Sequence, residues 1–427
     1  MEPRPAEPEW GPVKRLLFRF LFAYLFLYIF PFPLDILPVV GMAAEPYQSF
    51  WNAAVPWVGR HVFHVAITVQ PNGSGDTTYN YVQVFCYLVL ALTAAAVWTL
   101  LDRRRRNYAR LNEWLRVYVR FSLATAMISY GAMKVIPAQF PGPSLDRLLQ
   151  PIGDASPMGL LWTFIGASKS YNIFSGLGEM LGGLLLLTRR TTTLGALVSS
   201  AVLVNVVMLN FSYDVPVKLY SSHLLAMAVL LMAPDARRLA DLLVFNRPTA
   251  PAEIRPLFER RWLHRGALIL RTVFVLAFAA WSLYGAYDGR KNYDLVTGPR
   301  PPLYGIWNVE DLEVDGRPQP PGTPDPAQWR RVVFGYPGTF AVQLGNDSRQ
   351  RYLLKLDAAK KTLGLKKRDD PEWQTTISYR QPGPGLLLLE GPLDGHKLRV
   401  KLRHTEIPQF RLVNRGFHWI NEYPFNY

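Results

Sequence analysis

Long apolar runs constrain this chain more than any other feature in it. A helix rises about 1.5 Å per residue and the hydrocarbon core is about 30 Å thick, so about 20 mainly apolar residues cross a bilayer. Such runs are read at Leu16–Leu37, Tyr81–Leu101, Leu115–Ile136, Tyr171–Leu187, Leu194–Phe211, Leu219–Met232 and Leu268–Tyr287, about seven in all, the sixth needing its flanking residues to span. After Tyr287 the apolar runs shorten and alternate with polar residues, which is the pattern of strands. The fold class read from this is a polytopic α-helical membrane bundle over residues 1–290, followed by an extracytoplasmic all-β barrel or sandwich over 291–427. Averaging the two parts explains why 49% hydrophobic residues yield a mean hydropathy of only +0.04.

Charge placement orients the bundle. Lys14 and Arg15, Arg103 to Arg106, Arg189 and Arg190, and the group Arg237, Arg238, Arg260, Arg261 and Arg265 fall in alternate loops. By the positive-inside rule the N-terminus is cytoplasmic and the C-terminal domain lies outside. The net charge of +15 is therefore read as lipid-facing anchorage, and nucleic acid is excluded as a partner. Cys86 is the single cysteine, so no intramolecular disulfide or cysteine metal cluster is available, and it is read as apolar filler. The first run also admits reading as a signal peptide ending near Gly41-Met42-Ala43-Ala44, although it is longer than usual and Arg19 interrupts it.

In the first outer loop, Trp51 to Val69 suits the membrane interface, and His61 and His64 lack further ligands for a metal; no metal site is expected. Gly73-Ser74-Gly75-Asp76-Thr77-Thr78 has no lysine and no preceding strand, so it is not a phosphate loop. Asp76 is expected to cap the second span.

Ionisable groups within spans are costly, by about 2.5–3.5 kcal/mol at the centre on insertion scales, and each asks for a partner or a role. Lys134, Glu179, Asn205, Asn210, Asp214, Lys218 and His223 gather in the third to sixth spans, all in the outer half under this topology. Ser175, Gly176, Gly178, Gly182 and Gly183 surround Glu179 with small side chains that let helices approach closely. Two readings stay open. Either Lys134 or Lys218 pairs with Glu179 or Asp214 to fix helix register, or these groups line a polar pocket where Glu179, Lys134 and His223 are catalytic and Asn210, Asp214 and Lys218 bind a cofactor.

Tyr130-Gly131-Ala132-Met133-Lys134, the run Phe174 to Leu187 containing Gly178-Glu179-Met180-Leu181-Gly182-Gly183, Leu194-Gly195-Ala196 and the run Asn210 to Lys218 together resemble the DoxX family of small membrane proteins. The resemblance covers about residues 113–245 and implies a four-helix membrane unit with a quinone-linked redox function. It implies site roles for Lys134, Glu179 and Asp214, with membrane lipid and a quinone or small apolar ligand as partners. Spans at both ends and an exterior domain depart from the family pattern. A bacterial inner membrane with a periplasmic barrel is the implied location. The helical region is also similar to the transmembrane domain of vitamin K-dependent carboxylases, which would make Lys134 or Lys218 a base beside a hydroquinone.

Strands are read at Val332–Tyr336, Phe340–Leu344, Tyr352–Leu356, Leu363–Lys367, Thr375–Tyr379, Leu386–Glu390, Lys397–Leu402 and Phe410–Val413, joined by turns such as Asp394-Gly395. Gly305-Ile306-Trp307 and Arg415-Gly416-Phe417-His418-Trp419 give the domain a resemblance to calycins and lipocalins, where an early tryptophan packs under a late arginine. Its interior is expected to be filled or shallow. His418 and Glu422, four apart, are read as structural because Pro424 opposes a helix there. An alternative to the redox role follows: a membrane anchor presenting a lipid- or partner-binding barrel.

Overall fold

A computed structural model describes residues 9–36, 38–69, 72–251, 260–291, 300, 302–319, 328–335, 338–367, 370, 372–405 and 410–426. The distal ends of the first read span, at Leu37, and of the closing segment, at Tyr427, lie outside them. The chain divides into two compact units: residues 1–135 with 173–285, and residues 136–172 with 286–427.

The first unit is helical: α1 (Pro12–Ile29), α2 (Pro38–Val62), α3 (Thr78–Leu101) and α4 (Ala109–Val135) lead to the second unit's inserted segment, α5 (Leu145–Leu148) and α6 (Pro157–Ala167). Then follow α7 (Lys169–Leu186), α8 (Thr192–Ser212), α9 (Lys218–Met232), α10 (Ala236–Leu243) and α11 (Arg261–Lys291). Each segment read as a span falls on a helix, but the first is cut short: α1 ends at Ile29, and residues 30–33 turn before a short 3-10 stretch at Leu34–Ile36. Four helices among the described residues, not about seven, are long and apolar enough to cross a membrane: Thr78–Leu101, Thr192–Ser212, Lys218–Leu243 and Arg265–Arg290. The other three are diluted by charge and polarity. α1 carries Lys14, Arg15 and Arg19, α4 carries Arg110, Glu113, Arg116, Arg120 and Lys134, and α7 carries Lys169, Asn172 and Glu179.

The charged α4 is nevertheless the axis of the helical core. Its Leu115, Val119, Leu123, Met127 and Ile128 pack with Phe18 and Leu25 of α1, Leu203 of α8 and Leu224 and Leu231 of α9. A helix wrapped by protein need not be as apolar as one facing lipid. Ser122 and Thr125 return their hydroxyls to the carbonyls of Tyr118 and Phe121, which satisfies them without outside partners. The expected first outer loop contains a helix, α2, in spite of Pro46 and Pro56 inside it; its Trp51 and Val55 pack with Val82, Cys86 and Tyr87 of α3.

In the second unit, β1 (Gly305–Val314), β2 (Arg317–Gln319), β3 (Trp329–Phe334), β4 (Thr339–Leu344), β5 (Arg349–Asp357), β6 (Thr362–Lys367), β7 (Gln374–Gly383), β8 (Leu386–Leu393) and β9 (His396–Thr405) pair antiparallel in nearly sequential order. β1 pairs with both β3 and β9, so eight strands close a barrel and β2 extends one edge as a short hairpin. Side chains fill the interior, among them Trp307, Phe334, Phe340, Tyr352, Leu363, Leu387, Val400 and Leu402. The expected strand at Phe410–Val413 is instead the helical turn α12 (Arg411–Asn414). The eighth barrel strand is β1, whose alternation is broken by a register shift between Val309 and Asp311. The ring beside Trp307 is that of His404, at 5.0 Å, while Arg415 lies over Phe425.

Residues 136–172 belong to the barrel unit. Leu145, Leu148 and Leu149 cover Ile306, Val333 and Ala341 on the barrel's outer face. Asp146 accepts from Arg349 (3.3 Å) and Arg351 (2.8 Å), fastening this segment to β5.

Candidate functional site

Glycines set the approach of α7 to its neighbours. A Cβ on Gly176 would stand 2.6 Å from the carbonyl oxygen of Gly131, and one on Gly183 would stand 2.9 Å from that of Ala124, so this face of α7 lies against the α4 backbone. Gly182 faces Ser199 of α8 in the same way. Glu179 is thereby held inside protein, 4% exposed, and Lys134 from α4 reaches it at 8% exposure. The Lys134 ammonium donates to both carboxylate oxygens, at 2.5 and 2.7 Å. Lys134 Nζ also lies 5.9 Å from the Tyr130 ring centroid, and Tyr130 meets Tyr220 of α9 at 6.1 Å.

The remaining candidates form separate contact groups. Lys218 pairs with Asp214 at 2.7 Å and approaches Asp76 at 3.9 Å. The Asp76 carboxylate accepts the backbone N–H groups of Lys218 and Leu219, so it caps α9 rather than the second span; there the cap is Thr77, next to the helix start, in a capping box with Asn80. Asn210 donates to Ser221 Oγ at 3.0 Å, and Asn205 is on the exposed side of α8.

His223 makes a third group that sequence reasoning only half anticipated. Its Nδ1 lies 2.7 Å from the Leu219 carbonyl, which can only accept, so Nδ1 carries the proton. Nε2, 2.6 Å from the Tyr24 hydroxyl, then accepts in the neutral ring, and the imidazole stacks on Tyr28 at 3.9 Å. Tyr24, Tyr28 and Tyr130 went unread as site residues because aromatic residues are ordinary in apolar runs.

His61 is turned onto its own helix, Nδ1 meeting the Trp57 carbonyl, and no group of three metal-ligating side chains occurs among the described residues.

The fold and this site define a class: a helical bundle with helices apolar enough to cross a membrane and a buried Lys–Glu pair, joined to an eight-stranded antiparallel barrel. The chain belongs to the family of the uncharacterized protein YwoB of Bacillus subtilis (strain 168), to which it is 36% identical over 121 residues, 28% of this chain and 75% of that one. No family model matches the sequence. No solved structure matches it.

Proposed function

We propose that the protein is a membrane protein of DoxX type with a quinone-linked redox function, centred on the Lys134–Glu179 pair. The observation that carries this reading is the pair itself, buried between α4 and α7 and bonded through both carboxylate oxygens. Taking two charges out of water costs several kcal/mol each, and ionisable groups placed inside membrane helices mark candidate functional sites. The donor set suits a quinone: an ammonium donates to a carbonyl oxygen, and a carboxyl group holds a proton beside it. A bound quinone supplies the electron-transfer chemistry; the chain's part is to bind it, orient it and hold or move a proton at Glu179.

The finer topology is seven spans, with the N-terminus cytoplasmic and the barrel periplasmic in a bacterial inner membrane. Parity supports it. Residues 136–172 and 286–427 form one compact unit and so share one side of the membrane, which requires an even number of crossings between them. The apolar helices in that interval are α8, the stretch Lys218–Leu243 and α11. A fourth crossing is needed, and α7 provides it. At 18 residues α7 measures about 27 Å, and α4 is longer.

Mass spectrometry of small molecules retained by the purified full chain tests the function. A quinone bound to the wild type and lost from a folded Glu179→Gln variant is the expected result. Retained lipid without quinone would instead favour an anchor that presents the barrel, whose filled interior leaves its outer surface for partners.

A further inference from the structure

Arg120 on α4 is 8% exposed and, among the described residues, meets no carboxylate: Nη1 reaches Thr192 Oγ1 at 3.4 Å, and Nε has no hydrogen-bond partner. One turn earlier, Arg116 Nε is likewise buried and unpartnered. Arg19 shows what a satisfied buried guanidinium looks like in the same unit. It donates to Tyr108, Thr99 and the Asp102 carbonyl, with Asp102 itself accepting from Tyr108. A buried charge left without a counter-charge costs several kcal/mol, so Arg120, which faces only other arginines among the described residues, is suited to an added anion.

The space in front of them has the form of a site. A cavity of about 700 Å³ is lined by five arginines, 116, 120, 189, 190 and 238, against two acids, Glu113 and Asp235. Asp235 is already held by Arg238 (2.6 Å) and Thr193 (2.5 Å), and it and Glu113 offset part of the charge of Arg116 but not that of Arg120. Thr192, Thr193 and Leu194, the first turn of α8, also line it, and the N-cap Thr191 makes no capping hydrogen bond. A helix start with free N–H groups adds to the attraction for an anion. Val117, Arg120 and Arg189 also line a second, apolar groove of about 640 Å³, walled by Phe22, Phe26, Trp114, Phe121 and Phe274.

We infer that these adjoining spaces form a binding site for an anionic phosphate lipid, its phosphate between Arg116, Arg120 and Arg189 and its chain along the aromatic groove. A guanidinium fork matches phosphate oxygens geometrically, and the apolar groove next to it suits hydrocarbon. This site is distinct from the Lys134–Glu179 pair, roughly 20 Å along α4 from Arg120 at about 1.5 Å per residue, and does not depend on the quinone reading.

Titration of the delipidated full chain in detergent, followed by native mass spectrometry and thermal unfolding, tests the inference with three probes: phosphatidic acid, phosphatidylcholine and inorganic phosphate. Phosphatidic acid should bind at least tenfold more tightly than phosphatidylcholine and raise the unfolding temperature. Arg120→Gln should weaken that binding tenfold or more and abolish the shift, while Arg190→Gln, at an exposed lining position, should weaken it severalfold. Should Arg120→Gln fail to fold, Arg190→Gln decides. Equal binding of the two lipids, inorganic phosphate binding as tightly as phosphatidic acid, or phosphatidic acid binding untouched in the folded variants would each overturn it.

Discussion

Buried polar side chains in this protein differ chiefly in whether the chain itself completes them. Arg19 is completed by Tyr108, Thr99 and a backbone carbonyl, and Lys134 and Glu179 by each other. Within the barrel, Tyr352 is completed by Gln350, to which its hydroxyl donates at 3.0 Å, and its ring packs against Phe340 and Trp373. Burial, with a smaller contribution from Asp394, raises its ionisation from the ordinary 10.0 to about 12. The folded value is the higher one, so this contribution to stability is intact below pH 10 and drains away as pH climbs from 10 towards 12. Partial solvent screening at the hydroxyl holds the loss to about 1–2 kcal/mol. Urea unfolding of the full chain, followed in the sheet's amide I band, should show that decline, and Tyr352→Phe should flatten it. An unchanged slope in Tyr352→Phe would mean that other groups set the alkaline limit.

Helices in the first unit are specified by which face carries glycine, and this gives a sharp contrast within α7. A Cβ at Gly176 would meet backbone atoms of Gly131 and Val135 at 2.6 and 2.7 Å, whereas one at Gly178 would meet only Val202 Cγ2 at 3.6 Å. Gly176→Ala should therefore destabilise the helical unit by about 1–3 kcal/mol through overpacking, while Gly178→Ala should be neutral or mildly favourable. Thermal unfolding of both variants in detergent checks this, and equal effects would show that the α4–α7 crossing is looser than the distances say. The glycine-rich stretch around Glu179 was legible in the sequence, and so was Glu179 itself; which glycine faces which helix was not, since that depends on the crossing. The same division runs through the barrel. Seven strands, β3 to β9, follow from alternation, but β1 hid behind its bulge and its acidic residues, and Phe410–Val413 has strand-like composition in a helical turn. Asp76 was read as a cap, yet its target, α9, is distant in sequence and only tertiary structure supplies it. Arg189, Arg190 and Arg238 were visible as topology signals, but their convergence with the buried Arg116 and Arg120 appears only once α4, α8 and α10 are assembled.

At the scale of the whole molecule, the segment joining α4 to α7 is the feature with most leverage on topology. It is part of the barrel's fabric, with Leu145 buried against the sheet and Asp146 bound to two arginines of β5. Burying a leucine contributes about 1.5–3 kcal/mol, enough to keep the segment with the barrel. The two parts of this unit must then emerge on one face of the membrane whichever helices cross it. Single cysteines introduced into a Cys86→Ser background of the full chain test this by labelling with an impermeant thiol reagent. Asp154→Cys, in the inserted segment, and Lys360→Cys, on the barrel, should both label from the outside of intact cells; Arg104→Cys and Arg237→Cys should label only after the membrane is opened. Opposite accessibility of Asp154→Cys and Lys360→Cys would break the shared unit. Labelling of Asp154→Cys and Arg237→Cys from the same side would leave an even number of crossings between them and so remove α7 from the list, and with it the membrane setting proposed for the Lys134–Glu179 pair.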